Sequence, residues 1–124
     1  MEPTPPLPRV LADLRELPTG PGVAWKLAEP GRQLDANVVR LAPGEQVAPH
    51  AEPELDVLVV VLSGGGSLHS DEGERPLAEG ALLWLPRGSR RGFTAGPAGL
   101  SYVTAHRRRP GMRIGSGPDF GRAE

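Results

Sequence analysis

Between residues 23 and 106 the chain is written in short apolar or alternating runs, none long enough for a helix of ordinary length. Val23 to Ala28 ends at Pro30-Gly31, Leu34 to Leu41 ends at Pro43-Gly44, and Val47 to His50 and Leu55 to Leu62 precede Gly64-Gly65-Gly66. Ser67 to Ser70 ends at Asp71-Glu72-Gly73, Arg75 to Leu77 follows, and Ala81 to Leu85 ends at Pro86-Arg87-Gly88. Arg91 to Ala95 and Leu100 to His106 complete the series. About nine strands with turns at this frequency predict an all-β sandwich or barrel. Gly64-Gly65-Gly66-Ser67 is not followed by the helix and Lys of a phosphate-binding loop, so it reads as a hairpin turn or a bulge.

The run Leu55 to Leu62 is apolar on both faces, with Asp56, Leu58, Val60 and Leu62 on one and Leu55, Val57, Val59 and Val61 on the other. Both faces therefore need cover. The expectation is that Leu58 and Val60 turn inward and carry Asp56 with them. A second layer then lies outside, either the N-terminal arm or another copy of the chain, and a homodimer joined through a sheet face is the favoured reading. Val10 to Leu17, with Leu11, Leu14 and Leu17 at three-residue spacing, predicts a short helical arm packed on the domain and stopped by Pro18. The predicted organisation is an arm over 1–22, a barrel over 23–106 and an irregular tail over 107–124.

Composition sharpens this picture at one point: Gly and Pro make up 32 of 124 residues, a share at which disorder becomes an alternative. Turns at the density just described absorb most of them in the middle of the chain, leaving the arm and tail enriched. No apolar stretch approaches the length that spans a bilayer, no basic start precedes an apolar run, and cysteine is absent. A cytoplasmic protein with no membrane contact is the expectation. The net charge of −1 provides no field for nucleic acid, and Arg107-Arg108-Arg109, without interleaved aromatic residues, reads as a solvated strand end.

Chemistry is concentrated at His50, Glu52, Asp56 and Arg91. In an extended chain residues two apart share a face, so His50 and Glu52 point together, and Asp56 rejoins them if the segment stays extended. Buried carboxylates require a cation, either a metal ion or an arginine. Phe93 shares the face of Arg91 and lines the same predicted cavity. His106, on the face of Tyr102 and Thr104, is a candidate to reach it, whereas His69 beside a turn reads as solvated and Trp84 as packing.

The spacing of these residues resembles the cupin superfamily, small single-domain conserved-barrel proteins, over roughly residues 34 to 106. Gly44, His50, Glu52, Asp56 and Gly64 follow the first cupin motif, and Gly80, Pro86, Gly88, Arg91 and Ala95 follow the second, with the Gly and Pro framework intact. The resemblance implies a double-stranded β-helix, or jelly-roll, barrel with a short N-terminal arm. It also implies a metal site of three His and one Glu at the positions of His50, Glu52, Asp56 and Arg91. Here only His50 keeps its imidazole, and Arg91 offers no lone pair to a metal. The expectations are thus a pocket formed by His50, Glu52, Asp56, Arg91 and Phe93 for a small polar metabolite, with no cofactor or at most a weakly bound divalent ion on His50, Glu52 and Asp56. An Arg91 ion pair with Glu52 or Asp56 would take the ion's place. The alternatives are a metal-dependent enzyme, a metal-free isomerase or epimerase with His50 as general base or acid, and a non-catalytic structural dimer.

Overall fold

The computed structural model describes residues 5–109. Its strands are β1 (Gly22–Lys26), β2 (Leu34–Leu41), β3 (Gln46–Ala51), β4 (Val57–Ser70), β5 (Gly73–Ala78), β6 (Leu82–Leu85) and β7 (Arg90–Arg107). All pairings are antiparallel, in the order β1-β2-β7-β4-β5, with β3 also on β7 and β6 also on β4. Seven strands replace the nine expected because two pairs of runs are continuous. Leu55 to Leu62 joins Ser67 to Ser70 in β4, and Arg91 to Ala95 joins Leu100 to His106 in β7.

These two long strands pair along most of their length and serve both halves of the barrel. The first half of β4 pairs with β6 and the end of β7; its second half pairs with β5 and the start of β7. The register slips between Val61 and Ser63 and again between Gly64 and Gly66, so the glycine run is a bulged bend and not a hairpin. Glycine is required at this bend. Gly64 has φ +75°, and a Cβ there would land on the carbonyl oxygen of Gly99. A Cβ on Gly66 would meet the carbonyl oxygen of Thr94.

The core comprises Val39 and Leu41 of β2, Val57, Val59 and Val61 of β4, Leu83 and Leu85 of β6, and Phe93, Ala95, Leu100 and Tyr102 of β7, with Leu55 and Leu77. This corrects the expected orientation of β4. Val57 and Val59 are fully buried, whereas Leu58 is 42 % exposed. Strand pairing decides between the two apolar faces: Val59 sits opposite Thr104 and Leu83, both buried, whereas Leu58 sits opposite Ala105 and the exposed Trp84.

The arm leaves Leu58 and Trp84 on that outer face exposed. It forms one 3-10 turn, Leu14–Glu16, started by Asp13, whose carboxylate accepts from the Arg15 N–H, and this turn buries none of its residues. Among the described residues no helix is long and apolar enough to cross a membrane. Of the tail expected over 107–124, Arg107 instead ends β7, and residues 110–124 lie outside the described residues.

A candidate binding site at the polar end of the barrel

The core is apolar through its middle, and most of its buried polar side chains, Asn37, Glu52, Arg91, Thr104 and His106, lie toward one end. Two of them, Asn37 and Thr104, are register partners, and His106 follows two residues later on the same face. On the other side β3 delivers His50 directly opposite Arg91, past a slip between Val47 and His50.

Arg91 points inward and is 1 % exposed. Its Nη1 donates to the carbonyl oxygen of Ser89 at 3.1 Å and approaches the Ser89 hydroxyl at 3.3 Å. Glu52 is also buried, but its direct ion pair is with Arg109, whose Nη2 donates to Oε1. Its other oxygen accepts from the Glu54 N–H at 2.8 Å. Burial alone pushes the Glu52 carboxyl up, but the Glu54 and Arg109 hydrogen bonds and the charges of Arg109 and Arg91 outweigh it, leaving the carboxyl below its ordinary value. Arg91 therefore acts on Glu52 through its charge, and Arg109 supplies the contact.

Arg109 was not a candidate from sequence, where it read as part of a solvated run. In the fold the run ties down the barrel end: Arg108 N donates to Gln33 O at 2.8 Å, and Arg107 Nη2 reaches Glu54 O at 3.4 Å.

Asp56 does not join this cluster. Leu55 and Val57 on either side of it are fully buried, so Asp56 turns outward, where its carboxylate accepts from the Arg87 N–H at 2.9 Å. It braces the Pro86–Ser89 turn, closed by Ser89 N donating to Pro86 O at 3.0 Å. Phe93 is 1 % exposed and packs against Tyr102 with ring centroids 5.2 Å apart, so it belongs to the core. Among the described residues no three His, Cys, Asp or Glu side chains are grouped to hold a metal ion. The set of His50, Glu52 and Asp56 does not fit one: Glu52 is held by Arg109 and Asp56 by the turn.

Two cavities flank this end. One, of about 440 Å³, lies beside β5, β6 and the start of β7, and its polar wall includes Ser70, Arg75, Ser89, Arg90 and Arg91, with Glu72 the one acid. The other, of about 370 Å³, is lined by Arg40, Glu45, Gln46, His50 and Tyr102 among others. His50 Nδ1 lies 3.0 Å from Ala48 O. A carbonyl only accepts, so Nδ1 is the donor here, and in the neutral ring the lone pair is on Nε2. That Nε2 is buried without a hydrogen-bond partner among the described residues. His50 and Arg91 thus stand at neighbouring register positions but line different cavities. His69 lies apart from both, with Nε2 2.7 Å from the Thr94 hydroxyl.

The fold is a double-stranded β-helix barrel closed by two long bent strands. Solved cupin structures share this fold: the cupin domain of Schizosaccharomyces pombe Cnp3 superposes with a TM-score of 0.69 at 15 % identity, over 81 % of this chain and 70 % of that one. KdgF from a Halomonas species gives 0.65 at 20 % identity, over 84 % and 97 %. A sugar phosphate isomerase of the cupin superfamily from Silicibacter pomeroyi gives 0.61 at 22 %, over 82 % and 77 %. No protein-family model and no curated protein matches the sequence. The chain has the fold of these cupin structures.

Proposed function

We propose that the barrel is a binding module for a small polar metabolite bearing an anionic group, held without a tightly bound transition metal in the cavity beside Arg91. The observation that carries this reading is the wall itself, where buried Arg91 and the more exposed Arg75 and Arg90 face a single acid, Glu72. Guanidinium groups donate paired hydrogen bonds to carboxylate and phosphate oxygens. The cavity is within the range that takes small ligands, and its remaining wall is largely apolar, including Leu77 and Pro86.

Sugar phosphates are the first probes, since one structural neighbour is named as a sugar phosphate isomerase. Calorimetric titration of a sugar phosphate panel, with inorganic phosphate beside it, should find a binder whose affinity falls at least about tenfold in Arg91→Met. Loss of one charged hydrogen-bonding partner warrants that figure. Binding that survives both Arg91→Met and the Arg75→Ala/Arg90→Ala pair, or a panel with no binder, would remove the support for this reading.

A second reading rests on His50, whose unpartnered Nε2 lone pair beside the Tyr102 cavity suits a general base in a metal-free isomerase or epimerase. A metabolite turned over by the wild type and untouched by His50→Ala would establish it; a screen that finds no such metabolite would count against it.

A further inference from the structure

We infer that the anionic ligand proposed above, on which this assignment rests, is the phosphate ester of a closed sugar ring, with its phosphate on Arg91 and its ring laid against the indole of Trp84. Strand register builds the polar half of the cavity wall: Ser70 stands opposite Arg91, and Leu68 opposite Arg75. β6 builds the other half, and its residues line the cavity without a gap from Ala81 to Pro86. Successive residues of a strand leave opposite faces, so an unbroken run means that the cavity wraps the strand's edge. That edge is open, because among the described residues β6 pairs with β4 alone. Leu83 and Leu85 therefore border the cavity from the buried face, and Leu82 and Trp84 from the outer one, where they are 68 % and 61 % exposed.

The wall selects the ring by contact and by charge. Arginines alone accept any anion, and a bare phosphate on Arg91 leaves Trp84 uncovered. An exposed indole at a cavity mouth offers a flat apolar surface, which suits a ligand with an apolar face of its own. Glu72 adds the second constraint. The turn between β4 and β5 holds it beside the arginines, its N–H donating at 3.2 Å to the hydroxyl of Ser70, the register partner of Arg91. A carboxylate there repels a bare anion and only accepts hydrogen bonds, so the ligand must also carry donors. An aryl phosphate has the flat face but no hydroxyl for Glu72. A sugar ring has both, a C–H face for Trp84 and hydroxyl groups at its rim. Ring closure matters as well, because an open-chain polyol phosphate must lose several torsional freedoms to lie flat.

Calorimetric titration of the full chain compares the terminal phosphate esters of glucose, galactose and mannose with that of open-chain sorbitol, with phenyl phosphate and with inorganic phosphate. At least one ring sugar should bind about tenfold tighter than each of the other three. Trp84→Ala should remove that advantage and leave inorganic phosphate unchanged, whereas Arg91→Met should weaken every anion that binds. Trp25→Phe leaves Trp84 as the sole indole, so its emission reports the contact even if Trp84→Ala fails to fold. That emission should change with the ring sugar and not with inorganic phosphate; an unchanged spectrum on binding overturns the part given to Trp84. Equal binding of the ring sugars and the sorbitol ester, or a ring preference that survives in Trp84→Ala, overturns the assignment and leaves the anion site standing. Tighter binding of phenyl phosphate overturns the sugar. A chain that binds none of these anions loses the anion site itself, and the ring with it.

Discussion

At single positions two features of this barrel are set by close backbone approach and by buried charge. Gly64 combines a positive φ with a carbonyl oxygen where its Cβ would be, so Gly64→Ala adds backbone strain to overpacking. A loss of about 2 to 4 kcal/mol is expected, read from the urea midpoint, and a loss below about 1 kcal/mol would mean that the bend relaxes freely. Glu52 shows the effect of charge. Its carboxyl is held low in the folded chain and returns to the ordinary range when unfolded, so the unfolded chain binds more protons in the interval between. The stability Glu52 contributes is present above about pH 4.5 and is lost as pH falls through the lower folded value. Glu52→Gln should flatten the acid limb of a stability against pH curve below about pH 5, and an unchanged slope would place the acid sensitivity elsewhere. His50, Glu52 and Arg91 were legible as a group because motif spacing fixes where each leaves its strand. Arg109 was not, because its partnership with Glu52 spans 57 positions and depends on where β7 ends.

At the scale of elements the sequence displays strand boundaries well and strand orientation poorly. β2 spans the expected Leu34 to Leu41, because Pro30-Gly31 lies shortly before it and Pro43-Gly44 shortly after it. The facing of β4 was misread because Leu58 and Val60 are as apolar as Val57 and Val59, and alternation supplies no sign when both faces are greasy. Asp56 was misplaced with them, a two-residue consequence of the same ambiguity. The glycine run was a second blind spot, since a turn and a bulged continuation use the same residue. The corrected facing is testable by truncation on either face. Val59→Ala should cost about 2 kcal/mol as a buried truncation, and Leu58→Ala less than about 1 kcal/mol although it deletes more carbon. Equal losses would contradict the assigned faces.

For the whole molecule, the proposed function turns on a local excess of positive charge in a chain whose net charge is only −1. A ligand is therefore not steered from afar, and attraction acts only once it enters the cavity beside Arg91. Within that cavity the arginines differ by burial. Arg75 and Arg90 are exposed and screened by salt, whereas Arg91 is buried and keeps its interaction at high ionic strength. Raising salt from about 0.05 M to about 0.5 M shortens the screening length from roughly 14 Å to roughly 4 Å, so the exposed pair loses most of its contribution. Affinity for an anionic ligand should fall several-fold over that range and then level off at a residue supplied by Arg91. Arg75→Ala/Arg90→Ala should bind more weakly at low salt yet depend little on salt, whereas Arg91→Met should retain the salt slope and lose the plateau. Titrations of the three proteins at both ionic strengths separate these cases, and a common salt slope in all three would show that the anion is held somewhere other than this wall.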